Sequence, residues 1–381
     1  MLSKWRTCRT SLNFIPRFVS DKSSSSRNEP CKEKCPEPLM EQNNYKAPKS
    51  VRVTVINSAS DVGKITNLVL KQDPLIKELR MYCLGATIGM ATDLKSVPTS
   101  TKGFAFTGKN LHIALKKSDI VFLVGSNEPD DVMTDAEVFE KNKGYIRNIA
   151  TSVAKNCPEA VVGISVYPIN STVPLFAEIM SQHGVFCPNK ILGCMSLYTM
   201  RARSVTACIL GVNPTTVKVD VLGGGTPNTI VPLIGSATPA GHCLACRADE
   251  ISLGIANMNS AVWALNKRQA TLSAAHANAA FVHDIAKGLT GKVSEGIAFL
   301  RNTGLYGLKY SALPVEYGMN GVSKIHRIPK MSKSEISRFD QAIPFLQDDI
   351  ENGEKTANAQ ITPNVEATAK CERATKVCCT T

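Results

Sequence analysis

Apolar and polar residues follow two different periods along this chain, and the first clear block is Val51-Arg52-Val53-Thr54-Val55-Ile56. Its β-branched run predicts a buried parallel strand. A tight loop, Asn57–Gly63, leads into Lys64–Leu70, where Ile65, Leu68 and Val69 fit one face of a helix. A second strand, Glu78–Cys83, completes a βαβ unit. Leu111–Leu115 reads as a helix end and Asp119–Gly125 as an apolar strand. The pattern continues with a long helix at Glu137–Ala154, a buried strand at Ala160–Val166, and a further strand beginning at Asn189–Gly193. This alternation, held to about residue 195, predicts an α/β fold with a doubly wound parallel sheet over residues 49–195.

Beyond that point the pattern changes. A strand at Lys218–Gly225, an Ala-rich helical stretch at Ala248–Lys287, and mixed strand and turn at Val293–Arg327 predict an α+β domain over residues 196–353. A closing helix at Ser332–Glu351 carries apolar spacing at Ile336, Phe339, Ile343 and Leu346. Residues 354–381 are polar and aperiodic and read as a disordered tail ending in Cys378-Cys379.

Composition narrows the classes. The chain has 381 residues, of which 43% are hydrophobic and 20% charged, enough for two domains with a sizeable core. No apolar run approaches the roughly 18 residues that span a bilayer. Thirteen cysteines are scattered through helix and strand patterns rather than packed as a disulfide scaffold, which points to a reducing compartment. The net charge of +12 includes Lys4, Arg6, Arg9 and Arg17, and no Lys/Arg block with interleaved aromatics exists, so nucleic acid is not an expected partner. Residues 1–20 are basic, hydroxyl-rich and free of acid, the composition of a mitochondrial transit peptide. Together with the Ser- and Pro-rich stretch to residue 48 they read as presequence and linker. Cys31 and Cys35 lack a second ligand pair for a zinc site, and no metal is expected.

The turn after the first strand carries the candidate chemistry. A dinucleotide-binding turn needs three glycines, for the bend, for close approach of the pyrophosphate and for helix packing, and an acid about 20 residues on for the ribose. Here Asn57 and Ser60 stand at the first two glycine positions, Gly63 keeps the third, and Cys83 stands where the acid belongs. The scaffold is present while its ligand chemistry is damaged.

Several short signatures, in the same order over roughly 300 residues, resemble mitochondrial-type NAD-dependent malate dehydrogenase, a branch of the lactate/malate dehydrogenase family, from about Lys49 to Gly353. They include Thr92-Asp93-Leu94, Asn156-Cys157-Pro158-Glu159-Ala160, Pro168-Ile169-Asn170-Ser171-Thr172-Val173-Pro174, His183–Ile191, Thr229–Ile234 and Asp340-Gln341-Ala342-Ile343-Pro344. The resemblance implies a Rossmann-type domain followed by a substrate domain, NAD as cofactor, and hydride transfer between NAD and malate or oxaloacetate. It also implies an acid–base histidine, an aspartate that orients it, and three arginines that hold the dicarboxylate.

Followed onto this chain, the histidine position is Gly225 and the aspartate position is Tyr198, in Leu197-Tyr198-Thr199-Met200-Arg201. Arg201 is kept as the third arginine. In the loop Ser126–Asp135, Glu128 and Asp135 stand where the other two arginines belong. The first asparagine of the family's Asn-Pro-x-Asn segment is Tyr167, and Asn170 is kept. The loop now opposes a dianion, and each lost charge-assisted bond is worth about 1.5–3 kcal/mol.

Of the six histidines, none falls at the hydride-transfer position, although His276 and His283 are spaced to share a helix face. Cys243-Leu-Ala-Cys246 reads as a CxxC in a loop. The expected function is that of a catalytically inactive, structural or regulatory paralogue in the mitochondrial matrix, with NAD binding weakened or lost, as a homodimer or a heterodimer with a related malate dehydrogenase. The alternatives are an active NAD-dependent malate dehydrogenase of the tricarboxylic acid cycle and a binding module for a different ligand.

Overall fold

The structure, a computed structural model, describes residues 50–85, 87–125, 133–267, 269–302 and 304–359. The expected presequence and linker, Glu128 of the loop, and residues 360–381 of the expected tail lie outside the described residues. In chain order the structure runs β1 (Val51–Ile56), α1 (Asp61–Lys71), β2 (Ile76–Cys83), α2 (Ile88–Lys95), β3 (Lys102–Thr107), α3 (Leu111–Leu115), β4 (Ile120–Val124), α4 (Asp135–Asn156) and β5 (Val161–Ser165). It continues with α5 (Ile169–Gln182), β6 (Ile191–Cys194), α6 (Ser196–Leu210), β7 (Val221–Gly223) and β8 (Ile230–Pro232). Last come α7 (Ala248–Ala256), α8 (Met258–Asn266), α9 (Thr271–Leu289), β9 (Ser294–Arg301), β10 (Tyr310–Gly318), β11 (Gly321–Ile325) and α10 (Lys333–Asn358).

The strands lie in the order β3-β2-β1-β4-β5-β6-β9-β10-β7-β8, with β11 on β10. From β3 to β6 every pairing is parallel. Chain order reverses between β1 and β4, and that switch point opens a crevice at the strands' carboxyl ends, where such sheets bind ligands. The sheet continues through an antiparallel β6–β9 pairing, unbroken across the boundary expected at residues 195 and 196. β4 is buried at all five positions, as its apolar run predicts for a strand covered on both faces.

Three local expectations change. The inner face of α1 is Val62, Gly63, Thr66, Asn67 and Leu70, while Leu68 is exposed. The helix is fixed by its approach to the turn, since a Cβ at Gly63 would lie 2.6 Å from the Asn57 carbonyl oxygen and 2.7 Å from that of Ser58. The Ala-rich stretch is three helices, broken at Asn257 and again where Lys267 takes φ 53°. The closing helix α10 runs on to Asn358, past the tail start expected at residue 354. Its buried stripe is Phe339, Ala342, Leu346, Ile350, Gly353 and Ala357, with Ile336 exposed. Its last turn is held from outside, because the Arg147 guanidinium donates to the Thr356 and Ala357 carbonyls.

Candidate functional site

At the switch point, Asn57 takes φ 61°, a left-handed conformation that Gly adopts freely and Asn tolerates better than most residues. Its side chain then crosses the crevice. The Asn57 amide donates to the Gly125 carbonyl at the end of β4, and its Oδ1 accepts from the Cys83 thiol at the end of β2, at 3.7 Å. Ser60 caps α1, its Oγ accepting the Gly63 N–H at 3.1 Å and donating to the Asn57 carbonyl at 2.9 Å. Asp61 occupies the first turn of α1, paired with Lys64 at 3.2 Å.

A helix N-terminus binds phosphate through free N–H groups and a positive dipole end. In this turn the Gly63 N–H is spent on Ser60, a carboxylate sits at the dipole, and an amide side chain spans the crevice. The residues present do not fit a dinucleotide pyrophosphate.

The second group lies where α4, α5 and β5 converge. The Tyr167 hydroxyl donates to Asp135 Oδ1 at 2.5 Å. Burial raises the Asp135 pKa, and the Tyr167 bond opposes that rise. Burial raises Tyr167 further still, helped by the nearby Tyr198 and Asp135. Two residues that the resemblance places in separate roles, one beside the cofactor and one on the substrate, here satisfy each other.

The third group is built on the glycine run after β7. Gly224 must lack a side chain, since a Cβ would lie 2.4 Å from Asn170 Oδ1. The Gly225 N–H donates to Asn170 Oδ1 at 2.8 Å, and the Gly225 carbonyl accepts from the Tyr198 hydroxyl at 2.7 Å. A Cβ at Gly225 would meet Ile169 Cδ1 at 3.2 Å. Asn170, fully buried, also donates to Thr229 Oγ1 at 3.0 Å and Asp349 Oδ2 at 2.9 Å. Its hydrogen-bonding capacity is used inside the fold.

Burial pushes the Tyr198 hydroxyl up to about 12, with Arg201 pulling it down. Arg201 is 4% exposed. Its Nη2 donates to Asn259 Oδ1 at 2.8 Å, whereas Nη1 is buried without a partner. Burial lowers the Arg201 pKa, and Tyr198 offsets part of that.

What remains between these groups is a cavity of about 110 Å³, lined by Tyr167, Ile169, Tyr198, Cys194, Asn259 and Asn278 among others. Ligand pockets run to roughly 300–1,000 Å³, and at about 30 Å³ per water this one holds a few waters. No histidine lines it. Burial also pushes the Cys194 thiol up to about 12, so neither Cys194 nor Tyr198, both lining the cavity, is poised to move a proton near neutral pH.

The structure therefore brings Gly225, Tyr198, Asn170, Arg201, Tyr167 and Asp135 into one region, with Asn57, Ser60, Gly63 and Cys83 at the switch point. His283 is elsewhere: its Nδ1 pairs with Asp73 at 2.8 Å, between α9 and the turn entering β2, at the opposite end of the strands. Cys243 and Cys246 are exposed on a 3₁₀ turn, Gly241–Arg247, rather than in a loop. Sequence reasoning missed Ile169, Asn259 and Asp349. Nothing in their local patterns marks them, because each acts through a partner distant in sequence.

Asp349 permits a prediction. Burial raises its carboxyl to about 6, the Asp135 and Asp348 charges add to the rise, and the Asn170 bond opposes it. An acid raised by folding favours the protonated form. The penalty is absent below about pH 4, grows as pH rises through about 6, and stays constant above. Asp349→Asn keeps an acceptor for Asn170 and removes the charge. It is expected to stabilise the chain by about 1–2 kcal/mol at pH 7.5 and to lose that advantage near pH 4.5. Urea unfolding at the two pH values checks this, and no gain at pH 7.5 would refute it.

Comparison with known proteins agrees with this architecture. The lactate/malate dehydrogenase NAD binding domain model matches residues 51–193, and the family's alpha/beta C-terminal domain model matches residues 196–357. The chain belongs to the lactate/malate dehydrogenase family. Mitochondrial malate dehydrogenase of Homo sapiens is 31% identical over 317 residues, 81% of this chain and 92% of that protein. The mitochondrial malate dehydrogenase of Caenorhabditis elegans is 30% identical over 307 residues, 79% of this chain and 89% of that protein. Among solved structures, Cryptosporidium parvum malate dehydrogenase superposes with a TM-score of 0.70 at 22% identity, covering 80% of this chain and 99% of that one. The lactate dehydrogenase of the same organism, solved with lactic acid and nicotinamide adenine dinucleotide, gives 0.68 at 21% identity, covering 82% and 99%. NAD is the family's cofactor, and no helix among the described residues is long and apolar enough to cross a membrane.

Proposed function

We propose that this chain is a lactate/malate dehydrogenase family protein that does not turn over malate or oxaloacetate, and that it serves a structural or regulatory role. The observation that carries the reading is the Tyr198 hydroxyl bonded to the Gly225 carbonyl, with Ile169 packed against Gly225. Hydride transfer to a carbonyl needs a proton donor held beside the substrate oxygen. At this position the chain has a glycine whose neighbouring space is filled. The Asn57 and Ser60 contacts at the switch point support a weakened or lost NAD site. Oxaloacetate-dependent NADH oxidation by the purified chain, assayed beside a reference malate dehydrogenase, tests the proposal.

One observation favours the competing reading, an active NAD-dependent malate dehydrogenase of the tricarboxylic acid cycle. Arg201 is kept, buried, and has an unpartnered Nη1 that a carboxylate would satisfy. A retained anion contact without an acid–base group gives binding without turnover, so the same assay separates the two.

A mitochondrial matrix location belongs to the proposal, supported by the acid-free basic start and by relatives named mitochondrial. A dimer, with itself or with an active relative, is the expected assembly. Subcellular fractionation giving a purely cytosolic protein would count against the first, and sedimentation as a stable monomer at micromolar concentration against the second.

A further inference from the structure

The 3₁₀ turn Gly241–Arg247, between β8 and α7, carries Cys243 and Cys246, both free and both exposed. Free cysteine is among the most buried residue types, and packing accounts for neither of these. Their shared direction comes from the type of helix. At three residues per turn, positions i and i+3 eclipse, whereas an α-helix would set them about 60° apart around its axis. Burial along the turn follows that period of three. Gly241 and Leu244 form the buried row, and Cys243 and Cys246 form the adjacent row, open to solvent. With a rise of about 2 Å per residue their Cα atoms lie about 6 Å apart, inside the roughly 4.4–6.8 Å that a disulfide spans.

The turn is held from its buried side. Ala240 enters it at φ 62°, and the Cys243 N–H donates to the Ala240 carbonyl at 3.1 Å. A Cβ at Gly241 would lie 2.5 Å from the Ile234 carbonyl oxygen, and Leu244, between the two cysteines, is buried. The chain cannot swing one cysteine away from the other without drawing Leu244 out of the core. Closure still meets resistance, because Cβ atoms of helical neighbours, about 5–6 Å apart, must approach to about 4 Å. An exposed bond closed against such resistance is easily reduced, the property of reversible rather than structural disulfides.

We propose that Cys243 and Cys246 form a dithiol that exchanges with small disulfides of the glutathione class and closes to a reversible intramolecular disulfide. One cysteine thiolate attacks a sulfur of oxidised glutathione. The glutathione S–S bond breaks, one reduced glutathione leaves, and a mixed disulfide remains on the protein. The second cysteine thiolate then attacks the protein sulfur of that mixed disulfide and displaces the other glutathione. The protein gives up two thiol protons and two electrons, and one oxidised glutathione becomes two reduced ones. Neither cysteine lines the cleft cavity, so the exchange requires neither a nicotinamide cofactor nor a dicarboxylate.

Trypsin releases both residues in the peptide Val219–Arg247, which holds no other cysteine. The full chain, reduced and then freed of reductant, is incubated with oxidised glutathione, its remaining thiols are alkylated, and this peptide is read by mass spectrometry. It is expected to lack two hydrogens and to take up no alkylating group, and dithiothreitol should restore both thiols. Cys243→Ser and Cys246→Ser each leave one cysteine without a partner, so each variant should retain one glutathione on the peptide, which the unsubstituted chain does not. Both positions are exposed, so the variants should fold, and their melting temperatures check it. Alanine at the same position replaces a serine variant that fails to fold. Two free thiols after the treatment, a glutathione retained by the unsubstituted chain, or a bond from either residue to another cysteine of the chain overturns the proposal.

Discussion

Oxaloacetate-dependent NADH oxidation by the purified chain is expected to run at least about 10⁴-fold below that of an active malate dehydrogenase. A positioned acid–base group contributes roughly 10²–10⁴ in rate, and Gly225 has no side chain to supply one. The Tyr198 hydroxyl beside that position is committed to the Gly225 carbonyl and pushed up to about 12 by burial. Substrate orientation is damaged as well. Asp135 stands at an arginine position and is bonded to Tyr167, so a dicarboxylate would meet a carboxylate there. These losses concern residues that act together, and their costs do not simply add. Gly225→His with Tyr198→Asp is expected to leave the protein inactive, because a Cβ at 225 already touches Ile169 at 3.2 Å. Adding Ile169→Ala and an arginine at 135 should bring the first measurable rate. Turnover by the unmodified chain within about 100-fold of the reference enzyme, less than the loss of a single acid–base group can cost, would place the active site elsewhere and sink the reading.

NADH is expected not to bind saturably below about 1 mM, an affinity of roughly −4 kcal/mol. The Gly63 N–H is used by Ser60, Asp61 places a carboxylate at the helix N-terminus, and Cys83 lacks the two acceptors that hold a ribose. Losing two charge-assisted bonds costs about 3–6 kcal/mol, or roughly 10²–10⁴ in affinity. The Asn57 side chain must also leave its contacts with Gly125 and Cys83 before the crevice opens. Asn57→Gly fits the left-handed backbone there without strain. Combined with Ser60→Gly, Asp61→Ala and Cys83→Asp, it should recover affinity by at least tenfold. Fluorescence titration reads both proteins, and micromolar binding by the unmodified chain would refute the blocked crevice.

The sequence by itself determined the fold and the family. The run Ile120–Val124 is apolar because both faces of its strand are covered, and that requirement is local enough to read directly. It also determined which chemical groups are missing, since an absent imidazole at 225 or an absent carboxylate at 198 needs no coordinates. Only the tertiary structure decided what replaced them. Tyr198 and Gly225 are 27 residues apart, Tyr167 and Asp135 are 32 apart, Asn57 and Gly125 are 68 apart, and Asn170 and Asp349 are 179 apart. Their pairing follows from strand order and from helices crossing the sheet, which residue period does not encode. The same limit explains α1 and α10. Periodicity marks apolar positions at Leu68 and Ile336, but which flank of a helix is covered depends on the neighbour it meets. For α1 that neighbour is the turn held against Gly63, and for α10 it is α5, where a Cβ at Gly353 would lie 2.3 Å from the Ser171 carbonyl oxygen.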